Sequence, residues 1–488
     1  MGARTKIREA FSDCAGPSWQ TDIVFRTISA RNFKSWKSLD SLALAPVTGF
    51  FGSNSSGKTS LLQILLLMKQ TTAAADRRQV LNLGGDERSP ISLGLVRDIL
   101  FDHDMDASLE LGYTWQPPSE FAVPDPTTED ATLFTASEVN FETKLAIKNG
   151  QLYVEGFRYG LDANEVVMNL SKAPSVRRNP EYDLRANIGG DPAYLKRVTG
   201  RSWPLPPPAK SYGFPDEAVG YYQNSGFVGV IELELENQFG DRTFYLGPLR
   251  SYPKREYHWQ GLRPVDVGQS GERSIEALLA SNLRGRTNTR GYDSRGHAKK
   301  RITVEEHVAA WLKDLELISE FKVQRISEET NLYRVLVRRA GSKVDVLLTD
   351  VGFGVSQILP VLVLLAYVPE GSTVLLEQPE IHLHPAVQAG LADVILEAAD
   401  TRSLQVIVES HSEHLLRRLQ RRVAERSADL DDIALYFCDH NGHESSANRL
   451  ELNLLGEIEN WPEGFFGDPF GETAAIVKAG LKQRLEIS

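Results

Sequence analysis

Three features of the sequence predict an α/β fold with a mainly parallel sheet core and an antiparallel β-lobe. "LAPVTGFFGSNSSGKTSLLQILLLMKQ" reads as strand, glycine loop, helix. Two apolar strands, "STVLLE" and "LQVIVE", stand about thirty residues apart with the helical pattern "PAVQAGLADVILEAAD" between them, the spacing of a βαβ unit. "EVNFETKLAIKNGQLYVEGFRYGL" alternates apolar and polar residues about Asn149-Gly150, the signature of an antiparallel hairpin.

Composition agrees with a globular chain. There are 488 residues, 41% hydrophobic and 24% charged, enough for one large elaborated domain or two to three ordinary ones. A formal net charge of -11 repels nucleic acid overall, so DNA contact needs a local basic patch. Cys14 and Cys438 are the only cysteines, too few for a disulfide framework or a thiolate zinc site. The longest apolar run, Ile358 to Val368, is too short to span a bilayer, and "MGARTKIREAF" lacks a signal-peptide core. These features lead us to expect a soluble cytoplasmic protein that makes no membrane contact.

Gly52 to Thr59 spell G-S-N-S-S-G-K-T, the phosphate-cradling pattern G-x-x-x-x-G-K-[ST] in its required strand–helix setting. Gly52 and Gly57 let the loop turn sharply so that its N–H groups, with Asn54, Ser55, Ser56 and Ser60, surround phosphate oxygens. The helix beginning near Lys58 adds its positive end. Lys58 neutralises the β- and γ-phosphates, and the Thr59 hydroxyl is a Mg²⁺ ligand. A Mg²⁺-bound nucleotide is therefore the expected ligand, and the loop alone does not choose among kinases, GTPases, helicases and ABC-type ATPases.

The motif G-x-N-x-x-G-K-[ST] resembles the loops of ABC, SMC and RecF-like ATPases, as does the hairpin pattern "TISARNFKSWKSLDSLALAPVTGFFG" before it. Three later segments follow in the order such ATPases require. "LLTDVGFGVSQILPVLVLLAY" carries Gly352, Gly354 and Ser356 at the start of an apolar helix, where the resemblance implies a signature loop that caps a partner's nucleotide. "STVLLEQPEIHLHP" places Glu377 at the Mg²⁺-holding Walker B position and Gln378 at that of the catalytic glutamate. "VIVESHS" places His411 as the switch histidine that reaches the γ-phosphate or the attacking water. A zinc site built from His382, His384, His411 and His414 is a weaker reading, since the nucleotide reading already explains each segment.

A glutamine cannot accept a proton, so Gln378 excludes general-base catalysis by that residue. Hydrolysis is slowed rather than abolished, because phosphoryl transfer depends mostly on positioning and charge stabilisation. Glu380 or Glu409 could supply a carboxylate instead. Binding with slow or partner-stimulated turnover is the expectation.

As a set, these segments resemble RecF- and OLD-like ATPases, in particular a branch reading E-Q-P-E-x-H-L-H-P and often found in bacterial defence loci. "YLGPLRSYPKREY", "VGQSGE" and "NWPEGFFGD" look like that branch too. The resemblance implies a split head over residues 23–116 and 231–488, a 1–22 extension, and an inserted β/loop region at 117–230. It further implies head-to-tail self-association and a separately encoded effector, such as a nuclease, regulated in anti-phage defence. Asp429 and Asp431 precede a strand instead of following one, so a built-in Toprim nuclease is not expected. "FVGVIELELENQFGDRTFYLG" reads as a strand pair about Gly240-Asp241.

Two basic clusters remain. Arg284, Arg286, Arg290, Arg295, Lys299, Lys300 and Arg301 lie in a glycine-rich stretch that suits a solvated loop or, in a RecF-like DNA-binding repair role, a phosphate-backbone contact. Arg417, Arg418, Arg421 and Arg422 follow His411 and fit an exposed helix face paired with Glu413 and Glu425. A nucleotide-bound scaffold with negligible turnover is the third alternative.

Overall fold

The computed structural model describes residues 24–85, 89–172, 180–200, 203–285, 287–291 and 300–462, with 465, 466 and 479. Arg286, Arg295, Lys299 and the 1–22 extension lie outside the described residues.

The chain opens with the hairpin β1 (Phe25–Phe33) and β2 (Trp36–Ala43), followed by β3 (Val47–Gly52) and α1 (Lys58–Ala73). All of β3 is buried, as expected for a strand covered on both faces. Next come β4 (Leu109–Trp115), the ribbon β5 (Phe121–Pro124) and β6 (Thr132–Ala136), and then β7 (Val139–Lys148), β8 (Gln151–Leu161), β9 (Asn164–Lys172) and β10 (Glu181–Asn187). Seven of these strands form one antiparallel sheet in the order β10-β9-β8-β7-β4-β1-β2. Asn149 and Gly150, both at positive φ, make the two-residue turn that joins β7 to β8.

Residues 139–187, expected within an inserted region, continue the sheet begun by β1, β2 and β4, because β7 pairs along the whole of β4. The strand pair expected about Gly240-Asp241 is not formed. After α2 (Glu217–Tyr221), "VGVIELELE" is the helix α3 (Val228–Glu236), and only β11 (Thr243–Leu246) is a strand. Its alternation hides a second period: Val228, Ile231 and Leu235 fall on one helical face and are the apolar residues it buries.

Past β12 (Tyr257–His258) come α4 (Ser274–Ser281) and α5 (Val304–Asp314), then β13 (Glu320–Arg325), β14 (Leu332–Arg338) and β15 (Asp345–Leu347). The last part holds α6 (Phe353–Tyr367), β16 (Thr373–Glu377), α7 (Pro385–Arg402), β17 (Gln405–Glu409), α8 (Glu413–Ala424), β18 (Ile433–His440) and β19 (Ser445–Arg449). The core sheet runs β11-β16-β17-β3-β18-β19 and is parallel except for the edge pair β18–β19. Its two faces meet different cores. Phe50, Leu375 and Ile407 pack toward the antiparallel lobe, while Phe51, Leu376 and Val408 pack toward α6 and α7. The result is a mainly parallel α/β core with an antiparallel β-lobe packed on one face.

Candidate nucleotide site

Parallel sheets bind ligands beyond the carboxyl ends of their strands. Here β3, β16 and β17 end side by side at Gly52, Glu377 and Glu409, with Glu377 and Glu409 paired in register.

The loop after β3 is held sterically. A Cβ on Gly52 (φ 141) would stand 2.0 Å from the Cys438 carbonyl oxygen, and one on Gly57 (φ 89) would stand 2.6 Å from Ser445 Oγ. Trp36 Nε1 donates to the Gly57 carbonyl at 3.2 Å, bracing the loop from the β1–β2 turn. Lys58 Nζ donates to the carbonyls of Ser53 (2.6 Å) and Gly52 (3.2 Å) and to Ser56 Oγ (3.3 Å). Burial lowers its pKa, an effect opposed by the nearby Glu409 carboxylate.

A cavity of about 430 Å³ is lined by Lys34, Ser35, Asn54 to Ser60, Gln378, Glu409 and His411. A larger groove, about 680 Å³, crosses the face of the antiparallel sheet past Ser29, Glu142 and Lys144 and contains none of these loop residues. The chemistry is therefore assigned to the smaller one. Within it, Thr59 Oγ1 donates to Glu409 Oε1 at 3.0 Å and Gln378 Nε2 donates to the same oxygen at 3.4 Å. Gln378 sits at φ 44, with its backbone N–H on the Glu409 carbonyl at 2.8 Å. Glu409 Oε2 is buried with no hydrogen-bond partner. Burial, and then the Glu377 charge, pushes the Glu409 carboxyl up to about 7. His411 is held below its ordinary pKa by burial and then by Lys58, so it is neutral near pH 7.

Other expected site residues stand further back. Glu377 Oε2 accepts from Tyr245 Oη at 2.6 Å, and its backbone carbonyl faces Arg250 at 3.5 Å. Glu380 is buried, and its Oε1 accepts the His411 backbone N–H at 2.6 Å. Gly352 caps α6, and Ser356 Oγ turns back onto the Phe353 carbonyl at 2.7 Å. Gly352, Gly354 and Ser356 are absent from the cavity lining. Phe353, 42% exposed, packs between the rings of Tyr252 and His382.

Sequence reading missed the Tyr245–Arg250 pair behind Glu377, and it raised Glu409 only as an alternative carboxylate, not as the partner of Thr59. The signal for Glu409 was an acid ending a buried strand, "QVIVE". The described basic residues mostly have partners within the chain. Arg290 grips Glu397 through two 2.8 Å bonds and meets Asp314 at 2.7 Å, Arg284 lies over the Tyr367 ring, and Arg301 donates to the Thr287 carbonyl. On α8, Arg417 pairs with Glu413, Arg421 with Glu425, and Arg418 and Arg422 with Asp393, as a solvated face would.

The donor set fits a magnesium ion. A buried, unpartnered carboxylate oxygen beside a P-loop threonine hydroxyl is what such a cation would satisfy. Among the described residues no helix is long and apolar enough to cross a membrane.

Residues 283–416 match the family model described as an AAA ATPase domain, and residues 429–476 match a family of unknown function, DUF3696. No curated protein matches. Solved structures similar to the chain include an Smc head bound to the C-terminal winged-helix domain of ScpA (12% identity, TM-score 0.44), covering 88% of this chain and 98% of that one. The SMC head domain from Thermotoga maritima is 10% identical (TM-score 0.40; 88% and 100% covered). The Smc head with an extended coiled coil from Pyrococcus furiosus, bound to the ScpA C-terminal domain, is 10% identical (TM-score 0.44; 88% and 96% covered). The site and the matched segment together support an ATPase.

Proposed function

We propose that this chain binds Mg·ATP at Lys58, hydrolyses it slowly, and uses ATP-driven head-to-tail pairing of two copies to control a separately encoded effector. One observation carries the nucleotide reading. Lys58 and Thr59, Gln378, and Glu409 and His411 come from three distant segments and line one cavity at the carboxyl edge of the parallel sheet. Lys58 exchanges its bonds to the loop carbonyls for phosphate oxygens. Thr59 and a neighbouring acid would hold the cation, which would neutralise phosphate charge. Neutral His411 offers a hydrogen bond instead of a charge. Gln378 can orient water but not deprotonate it, a loss of about two to four orders of magnitude relative to a general base.

Pairing has its support in the loop that opens α6. Gly352 and Gly354 flank the exposed Phe353, whose ring meets those of Tyr252 and His382. The effector, and a setting in anti-phage defence, rest on the family resemblance. A DNA-binding role has less behind it, because Arg284, Arg290 and Arg301 are engaged within the chain.

Phosphate release from Mg·ATP by wild type and Lys58→Ala, with and without duplex DNA, tests the reading. Slow release by wild type, a fall of about a hundredfold or more in Lys58→Ala and indifference to DNA are expected. Equal release by both proteins overturns it.

A further inference from the structure

Glu377 and Glu409 end adjacent parallel strands in register, yet their side chains are committed to different partners. Glu377 is held by Tyr245 Oη and does not line the cavity. Glu409, 2% exposed, receives Thr59 Oγ1 on one oxygen and leaves the other buried and unpartnered. The residue that usually carries the second acid of such a site is Gln378, and its amide N–H points at the Glu409 carboxylate. That choice has an electrostatic reason. A carboxylate at 378 would sit about 3.4 Å from a buried carboxylate, where like charges repel strongly; an amide donates there instead.

We propose that the cation-holding acid of this site has moved one strand over: Glu409 binds the divalent cation together with Thr59, and Gln378 is its amide clamp, while Glu377 is a supporting residue anchored by Tyr245. The inference rests on the nucleotide reading above and sharpens it.

The test is the affinity for a fluorescent ATP analogue in excess Mg²⁺ and in EDTA. It is measured on full-length wild type, Glu409→Gln, Glu377→Gln, Gln378→Glu and the exchange Gln378→Glu/Glu409→Gln, with Lys58→Ala as the phosphate control. Wild type is expected to bind more tightly with Mg²⁺. Glu409→Gln removes most of that gain, a loss of about tenfold or more. Glu377→Gln keeps at least half of the gain. Gln378→Glu alone weakens Mg²⁺-dependent binding, and the exchange recovers part of it, a non-additivity that two independent residues do not produce. Should Glu409→Gln fail to fold by circular dichroism, Glu409→Asp, which keeps the charge but shortens the reach, is used and is expected to lose part of the gain. If Glu377→Gln abolishes the Mg²⁺ gain while Glu409→Gln keeps it, the assignment is wrong although the nucleotide reading stands. If wild type binds no nucleotide, or binds it no better than Lys58→Ala, both readings fall.

Discussion

Single atoms decide the shape of this site. Gly52 has no room for a side chain, because its Cβ would fall 2.0 Å from a backbone carbonyl that cannot swing aside. Gly52→Ala is therefore expected to destabilise the protein by about 2 kcal/mol or more and to abolish nucleotide binding, read by urea unfolding and analogue titration. Glu380 works at the same scale. It is 5% exposed, and its Oε1 takes the His411 backbone N–H at 2.6 Å. Glu380→Ala leaves that buried donor unmatched, at a cost of about 1–3 kcal/mol, and releases the turn that presents His411. Slower phosphate release with a lowered urea midpoint is the expected pair of effects; normal turnover would show that the carboxyl does not position His411. The loop's glycines were legible in the sequence because spacing alone demands them. The partner of Thr59 was not: Glu377 and Glu409 both end apolar strands, and only the side-chain directions distinguish them.

At the scale of elements, the βαβ units and the Asn149-Gly150 hairpin were legible because each carries one unambiguous period. The helix α3 was not, since its residues fit alternation and a helical face equally, and burial against the α1 side of the core chose the latter. The basic stretch after α4 was read by charge alone, and charge did not reveal that α5 and α7 hold Arg290. His307, fully buried, accepts from Asn288 at Nδ1 and faces Glu397 through Nε2 at 3.1 Å, and Arg290 closes the cluster. Burial alone would raise the Glu397 carboxyl; the bonds to Arg290 and His307 outweigh it and hold it at about 2. A depressed carboxylate adds stability above its unfolded pKa and loses it as pH falls toward the folded value. The stability difference between wild type and Glu397→Gln should accordingly be about 2 kcal/mol at pH 6–8 and shrink below about pH 4.5, measured by urea unfolding across that range. A difference independent of pH would assign the loss to packing.

For the molecule as a whole, the central fact is the distance along the chain between the halves of the site. β3 lies between β17 and β18, so the sheet cannot close until the last quarter of the chain has docked against its start, as the bonds of Gln405 to both backbone groups of Phe25 show. The P-loop strand thus shares one sheet with the two strands β16 and β17 of the matched segment at 283–416. Gly352 and Gly354 lie outside the cavity lining, so the proposed head-to-tail pairing would have to carry them to the site of a second copy. If two copies share each site, turnover per protomer rises with protein concentration in the presence of ATP. The sharper measurement mixes two inactive variants, Lys58→Ala and Phe353→Asp, one defective in the loop and one on the α6 face. A mixed pair contains one site made of two wild-type halves, so random pairing should return roughly a quarter of wild-type phosphate release from proteins that are nearly silent alone. A mixture no more active than its components, with turnover per protomer constant across concentration, means that each head completes its site without a second copy.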